Sequence, residues 1–224
     1  MGIAPAFVTG LVAEARLLRG LGYRVFTGGG TPEGAARCAE AAVAAGATAL
    51  VSFGLAGGLD PFLPSGALII PAGISWRGQT LRADPALADA FGGSTCDILL
   101  ALDSIAATVA EKRRLWAETK AAAIDMESGA VSETAARHGL PFAVLRAICD
   151  PAGRSLPPAA LAALDNAGRI GFLKVAASVL RHPGQIPALL ALASDAARAR
   201  KTLIGRVKDL ASHDHMAAVP ASCC

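Results

Sequence analysis

Short apolar runs alternate along this chain with stretches whose apolar residues recur at helical spacing. Residues 5–9 (Pro-Ala-Phe-Val-Thr) read as a short buried strand, and residues 10–21 turn at Gly10 into a helix through Glu14, Leu17 and Leu18. Residues 23–27 read as a second strand, followed by Gly28-Gly29-Gly30. Thr31 then serves as N-cap and Pro32 as first residue of an alanine-rich helix that runs to Ala45 and stops at Gly46. A strand at 48–53, a glycine turn and further strands at 67–71 and 97–102 come next. Residues 104–119 predict a helix with Ile105, Val109 and Leu115 on one face against charged Glu111, Lys112, Arg113 and Arg114. A helix over 126–138 ends at Gly139, and 141–148 reads as a buried strand. From 157 to 210 the pattern is helical in two or three pieces, broken at His182-Pro183-Gly184 and again at Pro187, with a loose tail from Ser212. Strands alternate with helices through the first two-thirds, which predicts an α/β fold with a central mixed sheet.

The 224 residues suffice for one domain with an ample core. A net charge of +3, with no basic stripe carrying aromatics, argues against a nucleic-acid partner. Residues 41–59 are uncharged for long enough to raise a membrane span, but Gly54, Gly57 and Gly58 interrupt any helix there. The first ten residues hold no signal-peptide core. Five cysteines (Cys38, Cys96, Cys149, Cys223, Cys224) show no metal-ligand spacing, and their odd number fits reduced thiols. The expectation is a cytoplasmic protein without a metal site.

Chemistry concentrates between Ile124 and Asp150. Glu127 follows an apolar run at 121–124, where a helix is expected to start, and Asp150 follows the strand at 141–148. Carboxylates at element ends of an open sheet line the crevice where ligands bind. A helix dipole alone also favours an acid at a helix N-terminus. The pair reads differently in context. Asp125-Met126-Glu127 is followed by Arg146-Ala147-Ile148-Cys149-Asp150. Upstream lie Ser52-Phe53-Gly54-Leu55-Ala56-Gly57-Gly58-Leu59 and Gly66-Ala67-Leu68-Ile69-Ile70-Pro71. Together these resemble the D/E-M-E, R-x-I-S-D and G-x-A-G-G-L … G-D-x-V-I segments of the nucleoside phosphorylase and nucleosidase superfamily. The resemblance covers about residues 5–180, and Val-Thr-Gly-Leu-Val-Ala-Glu-Ala-Arg-Leu-Leu near the N-terminus looks closest to the hopanoid-associated phosphorylase branch.

The resemblance implies a three-layer fold spanning residues 1–181; the pattern beyond it predicts a helical extension at 182–211 and a disordered tail at 212–224. It implies cleavage of a purine N-glycosidic bond. Asp150 matches the acid that protonates the base at N7, which requires an apolar, water-poor setting. Glu127 matches the residue gripping the ribose hydroxyls opposite an oxocarbenium-like C1′. Met126 matches the residue on the ribose face, and Arg146 an ordering residue or a structural ion pair. Gly57 and Gly58 would admit ligand to the backbone, or simply make a turn. Ser104 and Ile105 fall where the family walls the purine. Glu14 matches the base that activates water in hydrolytic members, or is a solvated first-turn glutamate. Phosphorolytic members hold phosphate with amides, an arginine and a hydroxyl, but Leu55 stands where relatives carry Ser or Thr. Gly28, Gly29, Gly30 and Thr31, with Arg16 or Arg24, could cradle phosphate instead. No cofactor is implied, apart from inorganic phosphate as a possible co-substrate. The finer expectation is release of adenine from adenosylhopane, and the alternative is a 5′-methylthioadenosine/S-adenosylhomocysteine nucleosidase. A nucleoside-binding module without catalysis is a different class, against which the retention of Asp150 and Glu127 argues. A dinucleotide-binding fold fails for want of G-x-G-x-x-G after the first strand. The family implies a homodimer or higher homo-oligomer. A lipid-linked substrate would add peripheral membrane contact through an amphipathic C-terminal third, where Phe172, Leu173, Val175, Val179, Leu180, Ile186, Leu189, Leu190 and Leu192 lie near Arg169, Lys174, Arg181, Arg198, Arg200 and Lys201, or these residues simply pack on the sheet or at an oligomer interface.

Overall fold

The computed structural model describes residues 5–163, 178 and 181–213. Among the described residues nine strands form one mixed sheet. They are β1 (Pro5–Thr9), β2 (Arg24–Thr27), β3 (Ala49–Gly58), β4 (Leu68–Ile69), β5 (Pro71–Trp76), β6 (Gln79–Arg82), β7 (Cys96–Ala101), β8 (Ala123–Asp125) and β9 (Phe142–Asp150). The helices are α1 (Val12–Ala15), α2 (Pro32–Ala44), α3 (Pro85–Ala90), α4 (Val109–Thr119), α5 (Ser128–Arg137), α6 (Pro158–Ala163) and α7 (Ile186–His213). The sheet order is β2-β1-β3-β8-β7-β5-β6, with β9 against β3 and β4 against β9.

β3 organises the site. One edge pairs with β9 from Leu50 to Gly57. The other edge pairs with β1 over Ala49–Phe53 and with antiparallel β8 at Gly57 and Gly58. Between Phe53 and Gly57 that second edge has no strand partner. This gap is where a cavity opens, and it corrects the expected glycine turn: the glycine-rich segment stays extended to Gly58. The apolar run at 121–124 contributes to β8 and not to a helix start, so α5 begins only at Ser128. The expected helix at 104–119 begins at Val109, because Thr108 caps it by accepting from the Glu111 amide. Residues 102–108 are therefore free to line the cavity. The capping of α2 by Thr31, with Pro32 after it, follows the sequence expectation.

The core is built from short side chains on both faces of the sheet. Ala35, Ala39 and Ala42 of α2 share one cluster with Val8, Leu50 and Val144. On the other face Ala199, Leu203, Val207 and Leu210 of α7 share a cluster with Phe7, Leu18, Phe53 and Leu145. Pro187 lies in the first turn of α7, where its missing N–H costs nothing, so the expected break there does not occur. The C-terminal half of the extension thus belongs to the core. Thr202 Oγ1 donates to Gly66 O at 2.9 Å and Ser65 Oγ to Asp195 O at 3.2 Å, which fastens α7 to the sheet. Among the described residues no helix is long and apolar enough to cross a membrane. Phe172, Leu173, Val175, Val179, Leu180, Arg169 and Lys174 of the expected amphipathic segment, and the tail from 214, lie outside the described residues.

Candidate active site

A cavity of about 510 Å³ opens beside the gap in the sheet, within the range of about 300–1,000 Å³ usual for small-molecule sites. Its lining includes Glu14, Gly30, Gly57, Ser104, Ile105, Met126, Glu127 and Asp150, so eight of the candidate catalytic, substrate and phosphate residues meet there. The remainder are placed elsewhere. Gly58 faces Ile148 and Pro151. The Arg24 guanidinium donates to Ala45 O at 2.6 Å and Gly46 O at 3.1 Å, capping the far end of α2. Arg16 is exposed and does not line the cavity. The glycine-rich turn has a packing reason: a Cβ on Gly34 would stand 1.6 Å from Gly28 O, so strand end and helix start touch through bare backbone. Thr31 uses its hydroxyl to accept from Gly34 N. Of the suggested phosphate residues only Gly30 reaches the cavity.

Glu14 is buried, not solvated, and its carboxylate fills the gap in β3. Oε1 accepts from Leu55 N at 2.8 Å and Oε2 from Leu11 N at 2.8 Å. Burial raises its pKa, while the Arg146 charge and these amides pull it down. Leu55 O in turn accepts from Arg146 Nη1 at 2.9 Å. Two side chains therefore satisfy the backbone that no strand reaches.

Arg146 does not line the cavity. It is 1% exposed and holds the acids in place from behind. Nη2 lies 2.8 Å from Asp125 Oδ2, 2.9 Å from Glu127 Oε2 and 2.8 Å from Ser52 Oγ. Burial opposes its charge, but Asp125, Glu127 and Glu14 outweigh that and hold it protonated more firmly than usual. Three acids share one guanidinium, so charge is left over. Burial, with the like charges of Asp125 and Glu14, lifts the Glu127 pKa to about 7 against the pull of Arg146.

Glu127 occupies the N-cap position of α5 but does not cap it. Asp125 does so instead, accepting from Ser128 N at 3.2 Å and from the Ser128 hydroxyl. Glu127 is thereby released to face the cavity. Its Oε1 approaches Gly10 so closely that a Cβ there would lie 2.3 Å away, with Gly30 Cα behind it at 3.2 Å. Gly10→Ala is therefore expected to push the carboxylate off its position and raise KM for a ribosyl substrate, with the fold kept. A KM equal to that of the unmodified protein would show that this placement does not matter for binding.

Asp150 lies at the end of β9, 5% exposed. Oδ2 is 2.5 Å from the Lys112 ammonium, and Oδ1 accepts from Cys149 Sγ at 3.3 Å. Burial raises its pKa and Lys112 opposes the rise. The sequence placed Lys112 on a solvated helix face, but it is fully buried.

The outer wall is apolar: Ile105, Ala106, Leu156, Ala160 and Leu161, with Leu189, Leu192, Ala193 and Ala196 from α7. The N-terminal half of the extension is thus part of the site. Among the described residues Arg200 is the one cation on the cavity lining, and its Nε is buried there without a hydrogen-bond partner.

Residues 86–182 match the sequence profile described as Phosphorylase superfamily. A search of curated protein sequences finds no match. Solved structures share the fold. A 5′-methylthioadenosine/S-adenosylhomocysteine nucleosidase of Helicobacter pylori superposes with a TM-score of 0.67 at 14% identity, over 95% of this chain and 100% of that one. Futalosine hydrolase of the same organism gives 0.67 at 13%, over 94% and 98%. A protein of Francisella philomiragia described as a putative nucleosidase of the first type gives 0.68 at 16%, over 93% and 98%. The mixed sheet flanked by helices, closed by a C-terminal helix, is the nucleoside phosphorylase/nucleosidase fold.

Proposed function

We propose that the protein hydrolyses the N-glycosidic bond of a purine nucleoside. The observation that carries this is a single cavity holding Asp150 on one element and Glu127 and Glu14 on two others. Asp150 protonates the purine and makes it a better leaving group. As the bond breaks, C1′ gains positive charge, and the Glu127 carboxylate, backed by Asp125, opposes it. Oε1 of Glu127 takes a ribose hydroxyl, and Met126 lies along the sugar. Glu14 accepts a proton from the water that attacks C1′.

The occupied backbone of β3 favours hydrolysis over phosphorolysis. Leu55 N, an amide that could hold phosphate, is already taken by Glu14. A phosphate dianion there would also face Glu14, Glu127 and Asp125.

For the substrate, the apolar wall of α6 and α7 supports a bulky apolar 5′ substituent, hence adenosylhopane in hopanoid biosynthesis. Ile186 and Leu190, both exposed on α7, extend that apolar surface beyond the cavity and suit peripheral contact with a membrane. One observation favours the second reading, a 5′-methylthioadenosine/S-adenosylhomocysteine nucleosidase. Arg200, whose Nε has no partner among the described residues, suits a 5′ group bearing a carboxylate, as in S-adenosylhomocysteine.

The test is to incubate the protein with adenosylhopane, 5′-methylthioadenosine and S-adenosylhomocysteine, each with and without phosphate, and to measure free adenine. Adenine release without phosphate, fastest from the hopane nucleoside and lost in Glu14→Gln, is the expected result. Release only when phosphate is present would overturn hydrolysis. Preference for S-adenosylhomocysteine, abolished by Arg200→Gln, would establish the second reading.

A further inference from the structure

Helix α4 carries the run Glu111-Lys112-Arg113-Arg114, a sequence that on a surface helix would place all four charges in water. Lys112 instead points inward, with none of its surface exposed. Its Nζ is surrounded by acceptors: Asp150 Oδ2 at 2.5 Å, and the carbonyls of Asp150, Pro151 and Arg154 at 3.1, 3.3 and 3.1 Å. The other charged groups around Asp150 are accounted for. Asp195 on α7 is paired with Arg154 at 3.0 Å and Arg198 at 3.4 Å. Cys149, on the same strand, donates to the second Asp150 oxygen.

Burying an ammonium carries a large desolvation penalty. A neutral donor would suffice to staple a turn. The charge therefore points to a task beyond stapling, and the proximity to Asp150 indicates which. A general acid must hold its proton until the base arrives and then release it. Burial alone favours the neutral carboxyl and makes release difficult.

We propose that Lys112 is a positioning residue that makes Asp150 a usable acid, its ammonium stabilising the carboxylate that remains once the proton has passed to the purine. In that step the Asp150 O–H bond breaks and an N–H bond forms on the base. The electron pair of the C1′–N bond leaves with the purine, and Asp150 is left ionised beside Lys112. The three carbonyl contacts fix the ammonium against Oδ2. The proposal rests on the reading of Asp150 as the acid, and Asp150→Asn tests that reading separately.

Lys112→Gln keeps a hydrogen-bond donor and removes the charge, whereas Lys112→Arg keeps the charge. Purine release should fall about 10-fold or more in Lys112→Gln, with kcat affected and KM little changed, within the range for an impaired general acid. The alkaline limb of its pH profile should move upward, because without the ammonium Asp150 holds its proton to higher pH. Lys112→Arg should recover part of kcat. In an Asp150→Asn background, Lys112→Gln should add little, because the carboxylate it serves is gone. An unmoved alkaline limb, or losses that multiply in the double variant, would reduce Lys112 to a structural staple and overturn the proposal. So would a Lys112→Gln protein that is unfolded by circular dichroism while Lys112→Arg is folded and inactive.

Discussion

Asp150→Asn is expected to lower purine release by about 10²–10⁴-fold, with the fold retained. Asparagine has the same shape and cannot act as an acid. Lys112 keeps three carbonyl acceptors from residues 150–154, so the loop after β9 stays anchored. The pH profile separates this loss from a general disturbance. In the unmodified protein the acidic limb should lie near the Glu127 pKa of about 7, since that carboxylate must be ionised to oppose the sugar cation. The alkaline limb should follow Asp150, whose pKa burial raises against the pull of Lys112. In Asp150→Asn the residual activity should keep the first limb and lose the second. Measuring free adenine from pH 5 to 10 checks both, and turnover at the unmodified rate would remove Asp150 from the mechanism.

The parts of this architecture that the sequence carries are those set by local chemistry. Thr31-Pro32 starts α2 and Gly46 ends it because capping and left-handed backbone are local demands. The alternation of strands and helices sufficed for the fold class. Elsewhere tertiary contacts overrule the local signals. Gly54, Gly57 and Gly58 signal a turn, yet they stay in β3 because Glu14 and Arg146 satisfy Leu55 where no strand does. The run Glu111–Arg114 signals water on every side, and only the position of Asp150, 38 residues on, turns Lys112 inward. Asp125 was in view within Asp-Met-Glu, but nothing local distinguishes an acid that caps α5 from one that faces ligand. The amphipathic pattern of α7 was legible, but its occupant was not. Its apolar residues divide between the core and the cavity wall, which depends on where α6 and β9 end.

Arg146→Met should produce the largest loss of stability. Removing one partner from a buried charge pair costs about 3–5 kcal/mol, because the other charge remains without compensation. Here three acids are left: Asp125 at 2.8 Å and Glu127 at 2.9 Å from the lost nitrogen, with Glu14 also within its field. Leu55 O loses its side-chain donor as well, and Ser52 Oγ keeps only the Ser128 hydroxyl. The deficit should depend on pH, and its sign follows from Glu127. Its folded pKa of about 7 lies above the ordinary glutamate value of 4.5, so protonation favours the folded state. That contribution is complete below about pH 4.5 and is lost as pH rises through about 7. Without the pull of Arg146, Glu127 and Glu14 hold their protons still more tightly, and ionising them becomes more costly. The difference in urea midpoint between the variant and the unmodified protein should therefore widen from pH 5 to pH 8. Equal midpoints at pH 8 would mean that the three carboxylates do not depend on Arg146, and that the cavity is held together by its apolar walls alone.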